Sequence, residues 1–373
     1  LRETEMAAAF AWLAGGEYPA DRIETAWKDL LGTQFHDAVP GTHTTEVYNE
    51  LLEDYDRIRG EAAPLRDAAV TELLGGPAGE DGCLVATNAL LHERSDTLSV
   101  PFSELVDRAV LGADGAPLPQ QRVTDLDGRE RLLVRVGRVP GVGIRRLGLA
   151  KTAGEAPAAE WPKADGRSLE NEHLRAEFNG AGELTRLLDK DAGREVLVAG
   201  ETGNRFELFE DTPGRYDAWD LVETYQDHPI DISGNAKLTV DETGPVRASL
   251  LLERPCAGSH IRQRISLEQG ARQLTFETEV HWVERQRILK VAFPFEIHAT
   301  HATFDMAFGS IQRPNHRNSS YDKARFEVCG HEWADLSQGD YGVSLLNDCK
   351  YGHDVLGKRM RLTLLKGSIY PDP

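Results

Sequence analysis

The stretch Arg272-Gln273-Leu274-Thr275-Phe276-Glu277-Thr278-Glu279-Val280-His281 decides the fold. Leu274, Phe276, Thr278 and Val280 fall on one face, and Gln273, Thr275, Glu277 and Glu279 on the other. This period of two predicts a half-buried β-strand. Upstream, Ile261, Ile265 and Leu267 alternate with His260, Arg262, Arg264 and Ser266, which predicts a second strand with its polar face outward. Further strands are expected at 84–91, 132–136, 174–178, 246–253, 289–295, 341–346 and 361–365. Gly, Asp, Asn and Pro clusters separate them, and no helical pattern intervenes. Short strands in that order predict antiparallel sandwich sheets rather than a parallel α/β sheet.

Working back toward the start, the period becomes 3.6. Met6, Phe10 and Leu13 predict one helical stripe, and Ile23, Trp27, Leu30 and Leu31 a second. Between them, Pro19-Ala20-Asp21 provides a turn and cap. The second helix should fail between Gly32 and Gly41. Thr44 or Thr45 can cap a third helix striped by Val47, Leu51, Tyr55 and Ile58, which Pro64 should kink or restart before Gly75-Gly76 stops it. The class is therefore α+β and multidomain: a three-helix bundle over 1–76, a small β-sandwich over 77–160 and a large one over 161–373. Ala150–Trp161 reads as the linker between the two sandwiches.

The chain has 373 residues, with 42 Lys+Arg against 61 Asp+Glu, a formal net charge of −19. That balance excludes a basic nucleic-acid footprint and disfavours an anionic membrane surface. No apolar run approaches the ~20 residues a spanning helix needs. Cys83, Cys256, Cys329 and Cys349 form no CxxC pair and predict four buried or neutral thiols in a reducing cytoplasm.

Four constellations could carry chemistry. In Gln34-Phe35-His36-Asp37-Ala38-Val39-Pro40-Gly41-Thr42 a His-Asp pair sits where an apolar helix ends. His36 could ligate a divalent metal and Asp37 could accept sugar hydroxyls. Equally, His36 could serve as a partial positive charge at the helix C-terminus. In Asp211–Asp220, Trp219 lies between Asp217 and Asp220. Carbohydrate sites use that combination, the indole stacking on a pyranose and the carboxylates taking hydroxyls. The alternative is a loop whose Trp packs on the sandwich and whose Asp residues cap turns. The polar loop Gly309–Asn318 offers Arg313 and His316 for hydroxyl recognition, or is a solvated connection. Asn347-Asp348-Cys349-Lys350-Tyr351-Gly352-His353-Asp354 follows an alternating strand. It could close over a site through Asn347, Asp348, Lys350 and Tyr351, or form a hairpin turn with Gly352 at positive φ.

Read in order, Gln34–Thr42, Leu169–Leu174, Asp217–Asp220, Glu242–Ala248, Gly309–Asn318, His331–Asp335 and Asn347–Asp354 resemble glycoside hydrolase family 38, the α-mannosidases, in its cytosolic and bacterial branch. The resemblance implies a retaining enzyme. An Asp attacks the anomeric carbon of terminal α-mannosyl residues, and a divalent metal, zinc with cobalt as the alternative, grips two vicinal hydroxyls. It implies His36 as a metal ligand, Asp37 as a substrate contact and Asn347–Tyr351 as a loop reaching the site. It further implies a mannose-containing oligosaccharide as partner, homo-oligomers and a cytoplasmic location. The family's nucleophile and three other ligands belong to a barrel domain that precedes the bundle. Since the chain starts at Leu1 within helical pattern, the expectation is a C-terminal part with no catalytic residue of its own, inactive in isolation. A non-catalytic carbohydrate-binding or structural β-sandwich is the alternative.

Overall fold

The computed structural model describes residues 1–75, 82–151, 160, 162–232 and 234–372. The chain divides into two compact units. One comprises Leu1–Arg122, Glu130–Pro157 and Pro371–Pro373, and the other Val123–Arg129 and Ala158–Tyr370. The expected stop at Gly76, the 76/77 boundary and most of the linker Ala150–Trp161 fall at 76–81, 152–159 and 161, outside the described residues.

In the first unit, α1 (Arg2–Leu13), α2 (Ala20–Gly32) and α3 (Thr45–Leu73) pack around Ala8, Ala11, Ile23, Leu65 and Ala69. Small residues let the helices approach closely. The first expected stripe is therefore displaced: Ala8 and Ala11 turn inward, while Phe10 and Leu13 are exposed. Leu31 and Val47 of the other two stripes are exposed as well. Thr44 occupies the N-cap of α3, with no capping bond from its hydroxyl. Pro64 does not restart the helix, which runs unbroken through it. Its missing N–H costs one bond, and Ile58, Ala62, Leu65 and Ala69 keep the buried stripe in phase across it.

Two three-stranded sheets follow the helices. One orders Leu84–Asn88, Gly143–Ala150 and Ala109–Leu111, and the other Arg94–Pro101, Glu130–Val139 and Gln120–Thr124. The first strand ends at Asn88, earlier than expected. The Asn88 amide donates to the carbonyls of His92, Val139 and Pro140, and its Oδ1 accepts the Leu90 N–H. This buried side chain replaces the strand ladder with a turn.

The second unit is antiparallel throughout its named pairings. A six-stranded sheet orders Pro229–Ile230, Arg205–Glu210, Arg287–Pro294, Arg359–Lys366, Gly352–Leu356 and Val328–Cys329. A four-stranded sheet orders Lys237–Glu242, Arg247–Cys256, Ser259–Glu268 and Thr275–His281. A second four-stranded sheet orders Gly309–Pro314, His301–Met306, Trp333–Gln338 and Tyr341–Leu346, and a five-stranded sheet gathers the strands between Lys163 and Glu195. Leu250, Leu252, Ile261, Ile265, Leu289 and Met360 belong to one continuous core, so the inward face of the alternation lies where the sequence predicts it.

Three expectations fail here. Arg264 and Ser266 do not face solvent: both are buried, the Arg264 guanidinium 2.7 Å from Asp241, 3.3 Å from Glu277 and 3.7 Å from Glu242. Three carboxylates compensate a cation that alternation alone places outside. Gly309–Pro314 is a strand paired with His301–Met306 rather than a loop. Gly352 begins a strand and is absent from the positive-φ residues, so the 347–351 segment links two sheets instead of turning a hairpin. Of the thiols, Cys256 is buried but Cys329 and Cys349 are exposed. Among the described residues no helix is long and apolar enough to cross a membrane.

Candidate functional site

Helix α2 stops at Gly32, and the chain passes through successive turns before α3. The Thr42 hydroxyl donates to Asp37 Oδ1 at 2.9 Å, and the Thr42 N–H donates to the Asp37 carbonyl at 2.9 Å. This closes the turn and fixes Asp37. His36 projects outward with its side chain 78% exposed, Nε2 3.4 Å from Asp37 Oδ2 and its ring 4.2 Å from that of Phe35. An accessible imidazole next to a carboxylate has the donor chemistry of a single metal ligand. Among the described residues no three His, Cys, Asp or Glu side chains come together to hold an ion. A divalent metal on His36 would therefore need its remaining ligands from other residues.

The second unit carries the other candidates on loops between strands. In the loop after Arg205–Glu210, Asp217 is buried. Its Oδ2 accepts the Ile369 N–H at 2.9 Å and its Oδ1 the Tyr370 N–H at 3.1 Å. Trp219 is half exposed and packs edge-on against Tyr216 and Tyr370. The exposed Asp220 offers its carbonyl to Lys366 Nζ, which also lies 3.2 Å from Asp211 Oδ2. Burial raises the Asp211 carboxyl above its ordinary pKa, and Lys366 partly offsets this.

Arg313 lies on the edge strand Gly309–Pro314. Its guanidinium is 4.9 Å from the Phe304 ring centroid and donates to the Cys329 carbonyl at 2.8 Å. His316 Nδ1 is 3.7 Å from Asp322. In the 347–351 segment, Asn347 Nδ2 donates to the His331 carbonyl, and its Oδ1 accepts the N–H groups of Cys349 and Lys350. Asn347 is thus spent on shaping the loop. Tyr351 is exposed, its ring 5.7 Å from that of His331, and its carbonyl accepts the Gly330 N–H. Arg313 and Tyr351 therefore flank one stretch, Cys329–His331. Asp348 is exposed and Lys350 partly so.

Two groups escaped the sequence reading. Tyr216 and Tyr370 join Trp219 in one aromatic cluster. Lys290 sits fully buried in the six-stranded sheet, with Nζ 3.1 Å from Tyr225 Oη, 2.6 Å from Asp354 Oδ2 and hydrogen-bonded to Glu327. A lysine inside the apolar run Leu289–Phe295 was the available signal.

Residues 169–373 match the family model described as the glycosyl hydrolases family 38 C-terminal domain, and residues 1–73 match the alpha mannosidase middle domain. Alpha-mannosidase 2C1 of Mus musculus is 33% identical over 383 residues, which covers 100% of this chain and 34% of that protein. Alpha-mannosidase G of Dictyostelium discoideum is 29% identical, covering 100% and 37%. The chain thus spans about a third of the length of these curated relatives. A crystal structure of an alpha-mannosidase from Enterococcus faecalis V583 superposes with a TM-score of 0.80 at 18% identity, over 98% of this chain and 50% of that one, a likeness of fold.

Proposed function

The chain belongs to glycosyl hydrolase family 38, and on that premise we propose that it is a portion of a retaining α-mannosidase that removes terminal α-mannosyl residues from mannose-containing oligosaccharides. The observation that carries the reading is the family match over residues 169–373, joined to a middle-domain match over 1–73. The relatives named alpha-mannosidase support it across the whole chain.

His36 is the residue here that would hold a divalent metal, zinc or alternatively cobalt. Such an ion supplies Lewis-acid attraction for two vicinal hydroxyls of a mannose. Asp37, fixed by Thr42, would orient the imidazole and accept a sugar hydroxyl. Arg313 on its edge strand, and His316, Asp348, Lys350 and Tyr351 on the segments between strands, would contact the glycan as donors and acceptors, with Asn347 holding the shape of its loop. The nucleophile and the remaining ligands belong to residues outside this chain, so the isolated polypeptide is inactive. The acidic balance suits a neutral glycan substrate rather than nucleic acid or an anionic membrane surface, and a cytoplasmic setting with homo-oligomeric assembly completes the proposal.

A chromogenic α-mannoside with added zinc or cobalt tests this. The 373-residue chain gives no turnover, and the full-length protein releases mannose with retained anomeric configuration, read by NMR. Turnover by the isolated chain, or inversion by the full-length protein, overturns it. His36→Ala lowers zinc content in the full-length protein, measured by atomic emission independently of activity.

A further inference from the structure

The loop Asp211–Asp220 invests buried charge in holding half-exposed rings. Tyr216 is 47% exposed and Trp219 48%. The ring centroids of Tyr216 and Tyr370 are 5.3 Å apart, those of Trp219 and Tyr370 5.5 Å, and those of Tyr216 and Trp219 6.4 Å, all edge-on. Beneath them, Asp217 is 1% exposed and places one carboxylate oxygen on each of two consecutive N–H groups, Ile369 and Tyr370. Asp211 is also 1% exposed, and Lys366 bridges it to the Asp220 carbonyl. Four contacts thus lock the 211–220 loop to residues 366–370.

Burying a carboxylate is costly unless its partners compensate it, and replacing such pairs by apolar groups is often neutral for stability. Half-exposed rings in turn gain little from burial. What these anchors secure is one fixed ring geometry, which is what a stacking surface needs, because rigid aromatics bind without an ordering cost. Two N–H groups hydrogen-bond the Asp217 carboxylate and Lys366 pairs with Asp211, while Arg215 lies over Tyr216 with its guanidinium 5.4 Å from the centroid. The rings thus offer apolar surface beside polar groups of both signs, Arg215 and the exposed Asp220, which suits a ligand with an apolar face and a polar rim. A pyranose has both.

We infer that Tyr216, Trp219 and Tyr370 form a preassembled stacking subsite for a hexopyranose ring of the glycan, with Asp217 as its positioning residue rather than a hydroxyl acceptor. The choice of mannose as the sugar rests on the mannosidase reading; the platform itself does not. Loss of hydrolysis by the full-length protein leaves ring binding by this chain intact, so the two ideas fail separately.

Ligand-observed NMR on the 373-residue chain tests it, with α-linked mannobiose as probe and acyclic mannitol as control. Mannitol offers comparable hydroxyls but no ring face. The chain binds mannobiose and not mannitol. Trp219→Ala weakens binding roughly three- to tenfold, the range expected for one aromatic contact, and Trp219→Phe recovers part of it. Asp217→Asn weakens binding with Trp219 intact, and it shifts the Ile369 and Tyr370 amide resonances, which a residue touching only the sugar would not do. Tyr370→Leu provides an independent ring deletion should Trp219→Ala lower the melting temperature. Equal binding of mannobiose and mannitol, no binding by the parent chain, or ring-deletion variants that bind like the parent would each overturn the subsite.

Discussion

Lys290 Nζ lies 2.6 Å from Asp354 Oδ2, and the two side chains are 0% and 4% exposed, respectively. The pair spans three strands of the six-stranded sheet: Lys290 is on Arg287–Pro294, Asp354 on Gly352–Leu356, and between them runs Arg359–Lys366, whose Arg361 reaches Asp354 at 3.1 Å. Burial alone would depress the lysine. Glu327 and Asp354 more than reverse that and raise it. The ammonium therefore stays charged, and Tyr225 above it is pushed up to about 12, first by burial.

Lys290→Met removes the cation and leaves Glu327 and Asp354 facing one another in the interior. A loss of about 3–5 kcal/mol is expected, because a broken buried pair strands its partner charge. Urea unfolding followed by tryptophan fluorescence measures it. The double variant Lys290→Met with Asp354→Leu should recover part of the loss. A single variant as stable as the parent would show that the network contributes nothing.

His353 gives the protein an acid-sensitive interior. The ring is fully buried, its Nδ1 3.2 Å from the Tyr351 carbonyl and its Nε2 without a hydrogen-bond partner among the described residues. Burial, opposed chiefly by the hydrogen bond to the Tyr351 carbonyl and aided by Lys290 and Arg313, lowers its pKa to about 4. An unfolded histidine titrates near 6.5, so below that pH the unfolded chain binds the proton first. His353 imposes no penalty above pH ~6.5, and stability falls as pH drops from there toward 4, by about 3 kcal/mol. His353→Leu should flatten the melting temperature in this window. A parallel pH dependence in the variant would remove His353 as the cause.

Gly182 stands at φ +77°, and a Cβ there would meet Leu252 Cδ2 at 2.5 Å. Leu252 is fully buried in the continuous core, so its side chain can withdraw only by displacing packed neighbours. Gly182→Ala combines left-handed strain with overpacking and should cost about 2–3 kcal/mol. Thermal unfolding of this variant beside Gly193→Ala separates the two effects, since Gly193 has positive φ but open space around it.

The thiols should sort by burial in a reaction with Ellman's reagent. Cys329 and Cys349 are exposed and react in the native state. Cys349 reacts more slowly of the two, because partial desolvation of its sulfur and its contact with Asp348 raise the thiol. Cys256, pushed up to about 11 by burial, reacts only after denaturation. Rapid labelling of Cys256 in the native state would show that the sandwich opens locally.

The alternation of Leu274, Phe276, Thr278 and Val280, the helical stripe at Ile23 and the order of motifs from Gln34 to Asp354 sufficed to establish antiparallel sheets after a helical start and the family resemblance. These are local patterns: side-chain direction repeats every two or 3.6 residues wherever one face meets a core. The role of an individual polar residue is not local. Asp217 reads as a sugar contact by composition, yet its carboxylate is taken by backbone groups 152 and 153 residues further on. Arg264 reads as a solvent-facing residue by alternation, yet Glu277 on the neighbouring strand and Asp241 two strands away on the other side enclose it. Lys290 meets Glu327 and Asp354 because of sheet order, and Tyr370 completes the aromatic cluster because the chain's end folds back onto a loop. Spacing along the chain carries no record of which distant strand becomes a neighbour. Until that neighbour is known, a buried charge and an exposed one look alike in the sequence.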